Sequence, residues 1–569
     1  MPTILGFHDS PFDSGATLIK DGEILAAIHE ERITRIKHCG GFPCRSIREV
    51  LNISNVDPSE IDAAAVGFTQ PDFIVQVLQG FFKSLSNLNP LKSKIDRNKL
   101  YAFEKYEFLI HKSFLFGKMD TTLSNMLLHH VLRKLGIKEK IERIDHHLCH
   151  AASAFYSSGF EKCLVITADA RGDGISTSVN IADKNGIQRV SSSPESVSMG
   201  HFYGGVTEVL DFGYADGEGK TEALAAFGKY SNAYEKLMSY ISVDNLVLKG
   251  RMSPYQRLIS IPFSKSLKSF KREDIAFAAQ KILEETYLNL IANAIEETGI
   301  ANIALAGGIF LNVKLNQKIM ELPEVKDIFI HPAAGDTGIS TGAAFALYSK
   351  MFGLKPKRWR HVYLGNEFSN AEIKNALDKF NCRYDYIEDI GSYVGEVLLP
   401  RGHIIGWFQN RMEYGPRALG ARSVLIDPRS SESPNKVRST IKNRPVFQPF
   451  CPSMLKESEA KYTLNPKNVD SSFMIMAFMA KQRMIDEAPS VVFIDSSTRV
   501  QTVDTRYNRR YYDVLKAFGK ETGVPILLNT SFNRSGEPVV CAPEQAIYDF
   551  RICKLDFLAI GDYLVKRKS

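Results

Sequence analysis

Four arginines, Arg411, Arg417, Arg422 and Arg429, fall within GWFQNRMEYGPRALGARSVLIDPR, the stretch from Gly406 to Arg429. Three glycines and two prolines interrupt it, with breaks at Gly415-Pro416 and Gly420. A surface helix would show charge alternating with helix formers; this pattern puts the arginines on turns. Guanidinium forks grip phosphate or carboxylate bidentately, and turn backbone can aim N–H groups at the same anion. The arginines alternate with apolar residues instead of running together, which separates the stretch from a solvated basic loop. Lys442-Asn443-Arg444, Arg499-Val-Gln501-Thr502 and Leu528-Asn529-Thr530-Ser531-Phe532-Asn533 follow it. A lysine, several arginines and hydroxyl and amide side chains at strand ends read together as a phosphate-and-carbonyl site.

A second kind of chemistry is written in Asp145-His146-His147-Leu148-Cys149-His150. On a helix, His146 and His150 share one face, within reach of a single metal ion. His147 lies off that face and is the alternative ligand. Asp169, ending a buried strand, or Asp336, in a glycine-rich turn, could supply a carboxylate. Two histidines with carboxylates and open positions suit Fe(II), Mn(II) or Zn(II). The expected set is His146, His150, Asp169 and Asp336.

Two glycine turns could approach a nucleotide closely. One is Ala306-Gly307-Gly308-Ile309-Phe310-Leu311-Asn312; the other is His331-Pro-Ala-Ala-Gly-Asp336-Thr-Gly338. With the opening hairpin and the Asp169 turn they read as the repeated glycine and aspartate turns of an actin-like nucleotide site.

These residues need elements to hold them. Strands are expected at Thr3 to Gly6, Ala16 to Ile19 and Glu23 to His29, with a turn at Asp21-Gly22. A helical pattern covers about Phe73 to Leu135. A buried strand at Cys163 to Thr167 runs into the Asp169 turn. A long amphipathic helix spans about Glu273 to Thr298, and a short strand, Asn302 to Leu305, enters Gly307-Gly308. Phe352 to Glu367, locally basic with weak periodicity, reads as a boundary. Beyond it, helices at Asn370 to Phe380, Tyr511 to Thr522 and Pro543 to Phe550 alternate with strands at His403 to Phe408 and Pro525 to Asn529, an α/β pattern.

At 569 residues the chain is too long for one core, and two large domains are expected. A net charge of +7 spread over such a surface fits anionic small molecules and does not call for nucleic acid. The eight cysteines form no CxxC pair, which fits reduced thiols in a cytosol. The opening MPTILGFHDS has no basic or long apolar region, so no signal peptide is expected, and no apolar run reaches membrane-spanning length. The expected location is cytoplasmic.

EERITRIKH (Glu30 to His38), DHHLCHAASAF, the Asp169 turn, LAGGIFLN, PAAGDTGIS, WFQNRMEYGPRALGARS, KNR, RVQTV and GVPILLNTSFNRSGEPVVC occur in that order over nearly the whole chain. They resemble the O-carbamoyltransferase family, which includes the nodulation protein NodU and enzymes that carbamoylate aminoglycosides and cephems. The resemblance implies an α/β fold: a duplicated ASKHA (actin-like ATPase) domain over residues 1–355, followed by a YrdC-like α/β domain over 356–569. It implies that the C-terminal site makes carbamoyl-adenylate from Mg-ATP and carbamoyl phosphate. The N-terminal site, with a divalent metal for which Fe(II) is the first choice, would pass the carbamoyl group to a hydroxyl of a small molecule or sugar. The implied catalytic residues are His8, Asp13 and Lys37, and the implied N-terminal nucleotide contacts are Gly307, Gly308 and Asn312. Arg417, Arg422, Ser423, Lys442, Arg444, Arg499, Asn529, Ser531 and Asn533 are the implied contacts of the C-terminal site. A monomer or homodimer is expected.

The chain departs from the family pattern at two places. The His-Asp pair typical before the second strand reads Phe12-Asp13-Ser14, although His8-Asp9-Ser10 stands four residues earlier. His8 is therefore the candidate base for the acceptor hydroxyl. A histidine six residues before Arg499 is replaced by Phe493. Two other readings compete: a tRNA threonylcarbamoylation enzyme, whose HxExH motif would need glutamate where Leu148 stands, and an ASKHA-like nucleotide sensor with altered chemistry. Because carbamoyl-adenylate is a reactive anhydride, an extensive, partly apolar interface with an internal route between the two sites is expected, and a short, ordered linker.

Overall fold

The computed structural model describes residues 2–10, 12–69, 114–138, 140–213, 217–252, 256–441 and 444–567. Two sheets of the N-terminal half repeat one plan. In the first, β1 (Thr3–His8), β2 (Gly15–Lys20) and β3 (Glu23–His29) form an antiparallel meander, and β4 (Ala63–Val66) and β5 (Lys140–Arg143) add in parallel beside β1. The order is β3-β2-β1-β4-β5. In the second, β6 (Cys163–Gly172), β7 (Ile175–Asp183) and β8 (Gly186–Pro194) form the meander. A small hairpin, β9 (Ile241–Asp244) and β10 (Val247–Gly250), intervenes in the chain. Then β11 (Asn302–Ala306) and β12 (Asp327–Ile330) add in parallel beside β6, giving β12-β11-β6-β7-β8, the same order read backwards. The central strands are buried along nearly their whole length, which is why TILGFH and IALA read as apolar runs without alternation.

Each sheet's last parallel strand leads into a helix, His146–Ser158 after β5 and Ile339–Phe352 after β12. These helices cross so closely that a Cβ on Gly342 would stand 1.8 Å from the Cys149 carbonyl oxygen. Gly6 in β1 is equally constrained, 2.1 Å from the Ser340 carbonyl. Alanine and glycine at these crossings bring the two sheets' strand ends to one place. The long helix is Arg272–Thr298, closed by Gly299 in the left-handed region. Of the helical pattern expected over Phe73 to Leu135, only the helix Phe114–Lys134 lies among the described residues.

The C-terminal half carries an eight-stranded sheet. Its strands are β13 (Tyr384–Tyr386), β14 (Ile405–Phe408), β15 (Arg422–Ile426), β16 (Cys451–Leu455), β20 (Gln501–Val503), β21 (Ile526–Ser531), β22 (Phe557–Ile560) and β23 (Tyr563–Lys566). Between β16 and β20, β17 (Thr463–Leu464), β18 (Phe478–Ala480) and β19 (Ser497–Thr498) make a small sheet of their own. The large sheet is ordered β13-β23-β22-β14-β15-β21-β16-β20 and mixes parallel with antiparallel pairs. The stretch between the halves is pinned down: the Lys357 and Trp359 amides donate to Tyr156 and Ser157, and the Trp359 ring lies 5.1 Å from His331.

The halves join through backbone as well as side chains. The Ala477 amide donates to Val313 (3.3 Å), Asn316 to the Ile475 carbonyl (2.7 Å) and Arg411 to the Leu25 carbonyl (2.9 Å). Arg35 bridges to Glu537 (2.8 Å) and Asp549 (2.9 Å). Phe447 packs on Phe212, and one continuous apolar core runs through both halves. Among the described residues no helix is long and apolar enough to cross a membrane.

Candidate metal centre and arginine site

His146 and His150 open their helix, whose N-terminus is capped by Asp145 accepting from the Leu148 amide at 2.8 Å. One turn apart, they face the carboxyl end of β6 and the turn after β12. There His150 Nε2 lies 3.0 Å from Asp169 and 3.6 Å from Asp336, and His146 Nε2 lies 3.4 Å from Asp336. The four donor atoms fall within 4.8 Å of one another. Both histidines are fully buried. Among the described residues neither nitrogen of His146 has a hydrogen-bond partner, nor has His150 Nδ1 or Asp336 Oδ1. Buried polar atoms are normally paired, and two imidazoles with two carboxylates form a donor set for a first-row divalent ion. These residues fit such an ion. His147 is spent elsewhere, against Thr167 Oγ1 at 2.6 Å and the Ile175 carbonyl at 3.0 Å.

Burial pushes His147 down to about 3 and His146 well below the usual imidazole range. His150 is also buried, but its hydrogen bond to Asp169 and the nearby charges of Asp169 and Asp336 more than offset that and lift it to about 9. Burial and the neighbouring Asp336 raise Asp169, whereas the imidazoles of His146 and His150 hold Asp336 well below the carboxylate range despite its burial.

The glycine turn wraps this cluster. Gly307 has φ +107°, and a Cβ there would meet the Ala168 carbonyl at 2.1 Å; the Gly308 amide donates to Asp169 at 3.1 Å. Asn312 has a structural task, capping the helix Val313–Glu321 and pairing with Gln280. His8, at the end of β1, points at the same cluster: Nε2 is 3.8 Å from Asp336 and its ring is 6.1 Å from His146. Asp13 stands in the left-handed region and bonds His38 Nδ1 at 2.8 Å; Lys37 is half-buried beside it.

The arginine stretch divides. Arg417 donates to the Leu311 carbonyl at 3.3 Å, in the turn whose Gly308 holds Asp169. Arg499 Nε contacts the Cys451 thiol at 3.0 Å, and Arg444 lies over the Phe450 ring. Burial, then the nearby Arg499 charge, brings Arg417 down to about 9; burial brings Arg444 to about 10. Half-buried Glu222 of the N-terminal half lies near Arg499 and Arg417 as a counter-charge. Asn529 organises the floor, donating to the Ala418 carbonyl and Ser453.

Arg422 does not join this group. It is fully buried, donates to the carbonyls of Gln409, Asn410 and Asn366, and stacks on Phe408 at 3.7 Å. Its guanidinium is committed to backbone, which corrects the expectation that it binds phosphate. Arg411 likewise serves carbonyls, and Arg429 pairs with Asp427. Ser423 accepts from the Gly420 amide, Ser531 sits opposite it in the β15–β21 pairing, and Asn533 donates to the Arg534 and Glu537 carbonyls. Lys442 lies outside the described residues. Three residues went unread in the sequence: Glu222, Tyr414 and Glu413. Glu413 accepts from the amides of Leu419, Ala421 and Arg422. As one of only two acids inside so basic a stretch, with Asp427, it carried a signal.

Comparison with known proteins covers both halves. The family described as "Carbamoyltransferase N-terminus" matches residues 3–345, and "Carbamoyltransferase C-terminus" matches 397–567. The chain is 33% identical to an uncharacterized protein of Methanocaldococcus jannaschii over the full length of both. It is 32% identical to nodulation protein NolNO of Sinorhizobium fredii, covering 98% of this chain and 79% of that one. Among solved structures, component A of the (R)-2-hydroxyglutaryl-CoA dehydratase of Acidaminococcus fermentans aligns distantly. That match has 15% identity and a TM-score of 0.33, over 62% of this chain and 99% of that one.

Proposed function

Because this chain belongs to the carbamoyltransferase family, and is a carbamoyltransferase, we propose that it works in two steps joined inside one molecule. In the first, carbamoyl phosphate, ATP and one water give carbamoyl-adenylate, phosphate and pyrophosphate. In the second, an acceptor hydroxyl attacks the carbamoyl carbon, and AMP leaves with the bridging oxygen. Arg417, Arg444 and Arg499 hold the anions of the first step, with Lys442 joining them; three half-buried guanidinium groups, with the one carboxylate of Glu222 near Arg417 and Arg499, favour an anionic occupant. His146, His150, Asp169 and Asp336 hold a divalent ion, with Fe(II), Mn(II) or Zn(II) as candidates. When bound, that ion supplies positive charge where AMP departs. On this proposal the N-terminal half is of ASKHA type, supported by its doubled strand order, and the C-terminal half is YrdC-like.

One observation carries the coupling of the steps. Arg417 and Asp169 are both tied to the Gly307–Asn312 turn, through Leu311 and Gly308. On this proposal an adenylate made at the arginines passes this turn to the metal cluster without entering bulk water, which the shared turn supports. His38, oriented by Asp13, is the proposed proton acceptor for the incoming hydroxyl, since Asp13 lies two residues from Gly15, which pairs with His8 across the first sheet. The acceptor is a small molecule or sugar.

The test is incubation of the pure protein with ATP and carbamoyl phosphate, followed by assay of pyrophosphate and phosphate and mass spectrometry of candidate acceptors. Release of both ions, with carbamoyl gain on a hydroxyl compound, is expected. Carbamoyl gain without ATP consumption would refute the adenylate step.

A further inference from the structure

The duplicated sheets impose a rule on where ligands arise. Each copy offers two positions to the cleft: the carboxyl end of its first strand, and the turn or helix that follows its last parallel strand. The second copy uses both, Asp169 near the carboxyl end of β6, where its pairing turns irregular, and Asp336 after β12. The first copy uses the helix after β5, through His146 and His150. Its remaining position, the end of β1, is occupied by His8.

His8 is 0% exposed, and among the described residues neither Nδ1 nor Nε2 has a hydrogen-bond partner. An imidazole buried in that state loses the hydration of two polar atoms with nothing in return. Around it stand the Phe68 ring at 6.3 Å, the His146 ring at 6.1 Å and Asp336 Oδ2 at 3.8 Å. Asp336 thus lies between His8 and His146, with an imidazole Nε2 facing each of its oxygens. His8 stands just outside the four donors that fall within 4.8 Å of one another, so it would join an ion there after a small inward shift of its ring, which sharing Asp336 with His146 favours.

We infer that His8 is a third imidazole donor to the divalent ion held by His146, His150, Asp169 and Asp336. The inference rests on the proposed metal role of that cluster. The resulting set of three imidazoles and two carboxylates favours an ion that accepts five or six ligands over a strictly tetrahedral one. It also removes His8 as the acceptor base, because a nitrogen that binds a metal cannot take a proton.

Cobalt(II) is the probe, added to the metal-free full-length protein and followed by its visible absorption and by competition with a chelator. The His8→Asn variant should bind cobalt at least about tenfold more weakly, with an altered visible spectrum, since even indirect partners of a metal site cost that much. His8→Gly should regain affinity when free imidazole is added, as an outside imidazole fills the vacated place. X-ray absorption of cobalt in the wild-type protein counts imidazoles without any variant, and three are expected. Two imidazoles, or a folded His8→Asn protein with wild-type affinity and spectrum, would overturn the inference. A wild-type protein that binds no cobalt would overturn it together with the metal cluster. Pyrophosphate release from ATP and carbamoyl phosphate, measured on the same samples, reports separately on the adenylate step.

Discussion

The Tyr414 hydroxyl donates to the carbonyl of Thr337, the residue directly after Asp336. Tyr414 belongs to the arginine stretch and Thr337 to the metal-facing turn, so one half of the protein braces the other's ligand. His29 Nε2 lies 3.2 Å from the same carbonyl, and its ring is 4.6 Å from that of Tyr414.

Removing that hydroxyl should loosen the turn without touching the arginines. Tyr414→Phe removes that bond together with those to Ser340 and Thr341 and is expected to lower stability by about 1–3 kcal/mol. Cobalt affinity should fall with it while pyrophosphate release persists. Thermal melting and a cobalt titration check this; wild-type affinity in a destabilised variant would show that the brace does not reach Asp336.

His150→Ala should lose metal and carbamoyl transfer yet keep pyrophosphate release, because the arginines stand on other elements. Metal analysis and the two assays decide it. Unchanged metal content in the variant would defeat the ligand assignment.

Metal affinity should depend on pH through His150. In the metal-free protein its carboxylate partners hold the proton until about pH 9. An ion must displace that proton, so affinity rises with pH from neutrality, by about one power of ten per unit for one displaced proton, and levels above about 9. His146, held well below its usual range by burial, is already neutral there and adds no slope. Cobalt titrations between pH 6.5 and 9.5, a range of roughly three units around the expected change, test it; a flat profile would contradict it.

Arg417 and Arg422 should fail differently. Arg417→Ala is expected to cost about 1.5–3 kcal/mol in pyrophosphate release, roughly 10- to 100-fold in rate, as a charged hydrogen bond to substrate is lost. Arg422→Met should instead lower stability by about 3 kcal/mol or more, because several buried carbonyls lose their donor. Denaturant melts beside initial rates separate the two effects.

Gly342→Ala pits propensity against space. Alanine favours a helix by about 1 kcal/mol over glycine. A methyl group 1.8 Å from the Cys149 carbonyl must push two helices apart, at about 1–3 kcal/mol or more. The steric term should win, and the denaturation midpoint should fall; a rise would show that the crossing yields.

Much of this was legible in the chain. The i, i+4 histidines, the two turn aspartates and the glycines of the Gly307 turn are local signals, and the strand Glu23–His29 and the helix starts at Asn370 and Pro543 follow from periodicity and capping. What stayed hidden depends on partners distant in sequence. Arg417 and Arg422 look alike in a string, and only Gln409, Asn410 and Asn366 reveal that one of them is structural. The doubling of the sheet was implied by the family resemblance alone and by no repetition in the chain, because the two copies share strand order and hardly any residues: TILGFH and CLVITADARG fill equivalent places. His147 could be told from its neighbours only once Thr167 was brought beside it.

The seam between the halves has a consequence for cooperativity. Val313 and Ala477 share a backbone hydrogen bond, Asn316 and Lys467 reach across to carbonyls, and the apolar core passes through without a break. Melting either half alone would strip donors and acceptors from the other and expose its side of the core. The chain should therefore unfold in calorimetry as one block with a single transition. A gene cut near residue 355 should give two fragments that precipitate apart and regain structure only when made together.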